Sequence, residues 1–419
     1  MTRWITDYLA TAAWDEVEAV PNSVCLDVRD LVDKAGNTPD AMLEKIDPAL
    51  AALAGGRKVL VCCDYGISRS NVIAACVLAR HEQIGFVDAL ERVVQATGQS
   101  EMDLDVVSLA DRALAGQPDP PGSAPVGSGG KTVLVTGVGG PLIPLVSFAL
   151  EPEHATFDLS GGSVDLQAGP VPLFLWARNK PIDTVVHLAW AYGPGTNEAM
   201  GKALVALKNV ADVCRRKGLR LILISSAGVF SGYREEPILA AETLPRNPRG
   251  TLTQGNCLAE YLVETVARQY GLDFCIVRSS LLYGQPLRTP KFLLTFVRRA
   301  LAGKEIVTHE YQNGLPRVDL LHWRDFCSGL KCVMDRPEIK TLHLGSGEGI
   351  STRELAESIV RLSGLDTDVT ARAIEDCVAE VVLDTATARQ ELGWKPKVTL
   401  QAGLEELVNA CAQESKETI

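Results

Sequence analysis

No polybasic run occurs in the 419 residues, whose net charge is −11, so nucleic acid and anionic membrane surfaces are not expected as principal partners. A local basic pocket in an acidic protein can still bind phosphate. No apolar span is long enough to predict a membrane helix, and no secretory leader pattern is seen. Together with eleven cysteines, an odd number, this points to thiols kept reduced in the cytosol rather than to a disulfide framework. The histidines show no zinc spacing, so no metal is expected; His187 reads as a hydrogen-bonded residue at a strand end. Solenoid-type repeats are absent. Among protein partners, only a second copy of the chain in a homodimer is entertained.

What is present suits two cores, since a domain usually holds roughly 100–200 residues. The segment from Gly116 to Gly130, rich in proline, glycine and serine, has no hydrophobic periodicity and reads as a flexible tether. It divides the chain into residues 1–115, a linker at 116–130, and residues 131–419. Both halves read as α/β. They are expected to fold separately.

In the first half, the apolar run Val59-Leu60-Val61-Cys62-Cys63 delivers a cysteine into a tight loop ending in Arg69-Ser70. A thiol attacks phosphorus only as thiolate, which nearby positive charge and N–H groups at a helix N-terminus favour. The stretch Val72 to Leu78 predicts a helix starting just after Ser70, with its positive end at the loop. Five residues separate Cys63 from Arg69, enough to wrap a phosphate-sized cradle of N–H donors. Arg69 would clamp two oxygens, Gly66 permits the turn, and the Ser70 hydroxyl can stabilise the departing thiolate.

These residues resemble the cysteine-dependent dual-specificity (protein-tyrosine-phosphatase-like) phosphatases, whose signature is His-Cys-x5-Arg-Ser/Thr. The resemblance covers roughly residues 1 to 115, including a helix at Ile46-Asp47-Pro48-Ala49-Leu50. Cys62 stands where that family has histidine. The resemblance implies a phosphatase-type α/β domain without a cofactor, with Cys63 as nucleophile and Arg69 and Ser70 as catalytic partners. Gly66 belongs to the substrate-binding loop. An aspartate about thirty residues upstream would be the general acid. Asp27, Asp30 and Asp33 fall in that window; alignment on the Ile46-Asp47 helix favours Asp30, then Asp33, and Asp27 sits inside an apparent strand.

After the tether, Lys131 to Val135 predicts a buried strand running into Thr136-Gly137-Val138-Gly139-Gly140-Pro141 and then a helix. Strand, glycine turn and helix hold a dinucleotide's pyrophosphate at a helix N-terminus, and Asp158, about twenty residues on, suits the adenine ribose hydroxyls. Further strands at Thr184–Leu188, Leu221–Ile224 and Phe274–Val277 predict a doubly wound, Rossmann-like parallel sheet with a small substrate subdomain.

From residue 131 to about 412 the chain is similar to extended short-chain dehydrogenases/reductases of the NAD-dependent epimerase/dehydratase kind. The similarity rests on Thr136-Gly137-x-x-Gly140, His187-Leu188-Ala189, Ser225-Ser226, Arg278-Ser279-Ser280, Arg317-Val318-Asp319 and Leu392-Gly393-Trp394. It implies NAD(H) or NADP(H) at Gly137, Gly140, Asp158 and Ala189, with Asp158 favouring the non-phosphorylated form. Ser226 takes the place of the family's catalytic serine, and Arg317 that of an arginine binding the substrate's diphosphate. The alternative for Arg317 is a surface ion pair with Asp319 or Asp325. Ile143 replaces the third glycine. The family's tyrosine with a lysine four residues later is missing, and Pro248 to Glu260, where it should lie, contains neither residue.

The resulting expectation is a phosphoric monoester hydrolase acting through a phosphocysteine on a phosphorylated sugar or nucleoside, fused to an atypical NAD(P)-binding sugar-handling domain. Two alternatives stand beside it. One is a protein phosphatase regulated by a non-catalytic dinucleotide-sensing domain; the other is an inactive phosphatase fold that binds phosphorylated ligands.

Overall fold

The computed structural model describes residues 2–115, 130–137, 142–159, 164–188, 195–287 and 289–417. The tether expected at 116–130 lies outside the described residues except for Gly130. Two compact units form: Met1–Val126 with Val164–Pro181 and Asn209–Gly218, and Gly127–Ser163 with Ile182–Lys208 and Leu219–Ile419.

The first unit begins with β1 (Arg3–Trp4), β2 (Leu9–Ala13), β3 (Ser23–Asp27), α1 (Pro39–Ala54), β4 (Lys58–Cys63), α2 (Arg69–Glu82), α3 (Phe86–Thr97) and α4 (Leu104–Ala115). Its sheet has the order β1-β2-β4-β3, with β4 parallel to both of its neighbours. Strand β4 is buried from Val59 to Cys63, as a near-continuous apolar run in a parallel sheet should be. Helix α2 is buried without interruption from Arg69 to Ala79, which marks it as the central helix rather than a half-exposed one.

The chain continues with β5 (Thr132–Gly137), α5 (Leu142–Leu150), β6 (Ala155–Asp158), α6 (Pro170–Ala177), β7 (Thr184–Leu188), α7 (Asn197–Lys217), β8 (Arg220–Ser226), β9 (Ile238–Ala240), α8 (Thr251–Tyr270) and β10 (Phe274–Ser279). Then come β11 (Leu281–Tyr283), α9 (Lys291–Leu301), β12 (Ile306–Tyr311), β13 (Arg317–Val318), β14 (Leu320–His322), α10 (Trp323–Met334), β15 (Thr341–Leu344), β16 (Ile350–Ser351) and α11 (Thr352–Ser363). A six-stranded parallel sheet has the order β15-β10-β8-β7-β5-β6. The chain therefore winds outward from β5 to β6, then returns to build β7, β8, β10 and β15 on the other side. That reversal is the topological switch point, where open α/β sheets bind ligands.

Each compact unit is built from more than one segment of the chain. Helix α6 and the C-terminal part of α7 belong to the first unit, joined to α4 by side-chain pairs across long sequence distances. Asp105 of α4 meets Arg215 at 3.1 Å, Asp111 meets Arg178 at 2.8 Å, and Arg216 donates to the Ser108 hydroxyl at 2.7 Å. The Arg215 pair is mostly buried, so it is more than an exposed, screened contact.

Burial also sets the acid limit of the second unit. His187, fully buried on β7, has Nδ1 2.6 Å from the Thr136 hydroxyl. His343 has Nδ1 3.0 Å from the Ala240 carbonyl. Desolvation pushes each imidazole down to about 4, aided at His343 by the Arg278 guanidinium. An unfolded imidazole titrates near 6.5, so between there and about 4 the unfolded chain takes up protons that the fold excludes. Stability contributed by these groups is thus complete above about pH 6.5 and is lost as the pH falls toward 4, on the order of 3 kcal/mol each at most. Urea titrations at several pH values should show this slope, and His187→Asn should remove about one proton's worth of it. An unchanged slope in the variant would refute the assignment.

Candidate functional site

Alternation along β4 separates the two adjacent cysteines. Leu60 and Cys62 share a small apolar cluster with Ala10 and Ala12 of β2, against Val17 and Val20. Cys63 points to the other face, where its Sγ lies 3.2 Å from the Ser70 hydroxyl of α2. Between them the loop turns at Gly66, which has φ +65°; a Cβ there would lie 2.6 Å from the Ala13 nitrogen. Only glycine fits this approach. The Asn71 amide donates to the Gly66 carbonyl at 2.9 Å and to Ile67 at 2.7 Å, while its oxygen accepts from Thr11. The helix starts at Arg69 itself, so its first turn faces the loop.

Arg69 is 8% exposed, and its guanidinium is held from several sides. One terminal nitrogen, Nη1, donates to the Arg29 carbonyl at 3.1 Å and the Leu31 carbonyl at 2.9 Å. The other, Nη2, pairs with the Asp64 carboxylate inside the loop. Its Nε–H is buried and has no acceptor among the described residues. A buried charged donor without a partner is costly unless a ligand supplies one.

Asp30 lies between the two residues whose carbonyls hold Arg69, so its backbone is fixed beside the loop. Its carboxylate is mostly exposed and paired with Lys45 at 2.5 Å. Asp27, at the end of β3, is occupied by Arg29 at 2.8 Å, which holds its carboxyl below the usual range. Asp33 is exposed, and no hydrogen bond or ion pair joins it to the loop among the described residues. Sequence reasoning missed Asp64, whose position next to the nucleophile was the available signal.

In the second unit, Gly137 ends β5 in register with Leu188 of β7, at the switch point. A Cβ on Gly137 would come within 2.6 Å of the Leu188 carbonyl, so the glycine is required by close packing of the two strand ends. Asp158 ends the neighbouring β6. Gly140 and Ala189 lie outside the described residues. Ile143 is buried in the core cluster of this unit, so the bulky replacement for the third glycine is accommodated as packing.

Beyond the switch point, a pocket of about 260 Å³ is lined by Ser226, Leu252, Asn256, Ser279, Leu281 and Thr289, among others. Leu252 and Asn256 are four residues apart on α8, one helical turn, which places both beside Ser226. The Asn256 amide donates to the Ser226 hydroxyl at 2.8 Å. These are the positions sequence reasoning could not single out within Pro248 to Glu260. The spacing of four was the signal. Thr253 faces elsewhere, its hydroxyl donating to the Arg249 carbonyl at 2.8 Å. Deeper still, Glu260 is fully buried and neutralised by Arg278 at 2.7 Å and Arg246 at 3.1 Å.

Arg317 lines a separate cavity of about 690 Å³, together with His322, Glu354, Arg361 and Lys397. It donates to the Gly349 carbonyl and sits 3.7 Å from Glu354. The ion pairs expected with Asp319 or Asp325 do not form, because both carboxylates are taken by backbone donors. Asp319 accepts from Ser346 and Leu383, and Asp325 from Lys397 and Val398. Among the described residues no cluster of metal-ligating side chains occurs, and no helix is long and apolar enough to cross a membrane.

Residues 174–344 match the NAD dependent epimerase/dehydratase family. A UDP-glucuronic acid decarboxylase of Arabidopsis thaliana is 24% identical over 246 residues, covering 56% of this chain and 69% of the relative. A dTDP-glucose 4,6-dehydratase of Mycolicibacterium smegmatis is 27% identical over 213 residues, 49% of this chain and 63% of that protein. Among solved structures, the dTDP-glucose 4,6-dehydratase of Bacillus anthracis in complex with NAD superposes with a TM-score of 0.59 at 19% identity, covering 69% of this chain and 98% of that one. The UDP-glucose 4-epimerase of Thermus thermophilus with NAD gives 0.57 at 21% identity, over 66% and 98% of the two chains. The doubly wound sheet is therefore the α/β fold of these epimerase and dehydratase structures.

Proposed function

We propose that the chain is a bifunctional sugar-handling enzyme: a cysteine phosphatase acting on a phosphorylated sugar or nucleoside, joined to an NAD(P)-binding unit of atypical chemistry. The observation carrying the phosphatase reading is the buried Arg69 with an Nε–H that lacks an acceptor, at the start of α2 where the loop from Cys63 ends, beside Ser70. A phosphate monoester supplies the missing acceptor. Its oxygens meet the Arg69 fork and the loop amides while the Cys63 sulfur attacks phosphorus. The S–P bond forms as the ester P–O bond breaks, and Asp30, released from Lys45, protonates the departing oxygen. Water activated by the same carboxylate then displaces the Cys63 thiolate, which the Ser70 hydroxyl stabilises.

Two measurements test the charges around Arg69. Asp30→Asn should slow turnover about a hundredfold for esters with poor leaving groups, and little for an activated aryl phosphate. If Asp33→Asn shows that pattern instead, the acid is Asp33. Asp64 competes with phosphate for Nη2, so Asp64→Ala should tighten inhibition by inorganic phosphate about tenfold, by raising the fraction of open forks. Unchanged inhibition would mean that phosphate does not bind at Arg69.

For the second unit, the fold, the Gly137–Leu188 approach and Asp158 at the neighbouring strand end fit a dinucleotide. Gly137 would admit the pyrophosphate and Asp158 the adenine ribose, with Gly140 and Ala189 completing the site. The nicotinamide, when bound, supplies hydride transfer. The chain's own residues limit what accompanies it. Leu252 has no proton to exchange, and the Asn256 amide is spent on Ser226 rather than on acidifying a phenol. Sugar nucleotides of the kind named for the relatives are the substrates considered for this unit. Its most economical role is to bind them without ordinary carbinol oxidation.

A further inference from the structure

The sulfurs of Cys25 and Cys62 lie 3.1 Å apart, across the parallel strands β3 and β4. In that register Cys25 is opposite Leu60, so it shares a sheet face with Leu60 and Cys62, the face away from Cys63 and Ser70. Cys25 is exposed, and Cys62 is fully buried in an apolar cluster. The sulfurs need to close by only about 1 Å to reach a disulfide bond length of about 2.05 Å. Both are free thiols here.

We propose that Cys25 and Cys62 form a reversible thiol–disulfide site, oxidised by peroxides, in which the neighbouring Cys63 takes no part. The exposed Cys25 sulfur, as thiolate, attacks one peroxide oxygen. An S–O bond forms, the O–O bond breaks, and the departing hydroxide takes up a proton to leave as water. The Cys62 sulfur then attacks the oxidised Cys25 sulfur, forming the S–S bond as the S–O bond breaks. The Cys62 proton leaves with that hydroxide as a second water. Two thiols are oxidised and one peroxide is reduced to two waters. Strand alternation turns the Cys63 side chain to the opposite face, so it is not the sulfur that closes on Cys25.

The bond would act on the loop from below. Val28, just past β3, donates to the Cys62 carbonyl at 2.9 Å, and the next residues supply the Arg29 and Leu31 carbonyls that hold Arg69. A link between β3 and β4 pins the start of that segment. The site stands whether or not Cys63 hydrolyses phosphate esters.

The test uses the full chain treated with a small molar excess of hydrogen peroxide, followed by alkylation of the remaining thiols and mass analysis of unreduced tryptic peptides. Cleavage after Arg3, Arg29, Lys58 and Arg69 puts Cys25 on one peptide, and Cys62 with Cys63 on another. The expected product is the linked pair, two hydrogens lighter than the sum of its parts and separated by dithiothreitol. Cys63 should lie outside the link. The link should be lost in Cys25→Ser and kept in Cys63→Ser. Because Cys25 is exposed, its replacement does not endanger the core, and fragmentation of the wild-type product locates the bond without a Cys62 variant. A bond at Cys63, or peptides that stay unlinked, would overturn the proposal.

Discussion

Cys63→Ser should lower phosphate release from an aryl phosphate by about 10³-fold or more, which corresponds to roughly 4 kcal/mol of barrier. The cause is chemical. An alcohol at this position is far harder to ionise than a thiol, and the contact with Ser70 cannot change that. Cys62→Ser should keep most of the activity, since that side chain packs with Ala10, Ala12 and Leu60 on the far face. Arg69→Lys should lose about 10²-fold, because a point charge cannot donate from a planar fork to two oxygens at once. Equal loss at both cysteines would point to damage of the strand rather than of the nucleophile. Activity surviving in Cys63→Ser would end the reading of Cys63 as the nucleophile.

The second large effect is an absence of turnover. Residues at Leu252 and Asn256 cannot relay a proton, so NAD-linked oxidation or reduction of nucleotide-sugar hydroxyls should be slower than with a working general acid–base pair by about 10²–10⁴-fold. Dinucleotide binding is expected to persist, and Asp158→Ala should weaken it about tenfold, near 1.4 kcal/mol, while leaving phosphate release unchanged. Titration calorimetry and absorbance at the reduced-nicotinamide band separate the two properties. Robust hydride transfer to a UDP- or dTDP-sugar would show that another group replaces the pair. Tyr233 is a poor candidate, since its hydroxyl donates to the Pro245 carbonyl at 3.0 Å.

The sequence carried the local elements because their signals are short-range. A β-branched apolar run followed by a glycine loop and a continuous apolar stretch has few alternatives to strand, turn and helix, and β4, the Gly66 turn and α2 appear as expected. The strands at Thr184–Leu188, Arg220–Ser226 and Phe274–Ser279 follow for the same reason. The loss of the tyrosine and lysine was likewise legible, since it needed only the residues between Pro248 and Glu260.

What the chain order could not supply is which distant groups meet. That Arg69 leans on the Arg29 and Leu31 carbonyls, and so fixes Asp30 beside the loop, depends on β3 lying next to β4. Val164–Pro181 and Asn209–Gly218 group with the first unit, where Arg215 meets Asp105, 110 residues away in the chain. Arg317 turned to Glu354 because Asp319 and Asp325 were already committed to backbone N–H groups. Each of these outcomes is a competition for partners. Residue types and spacing fix what a group can bond to, but only the folded chain brings the rivals within reach and decides which bond is made.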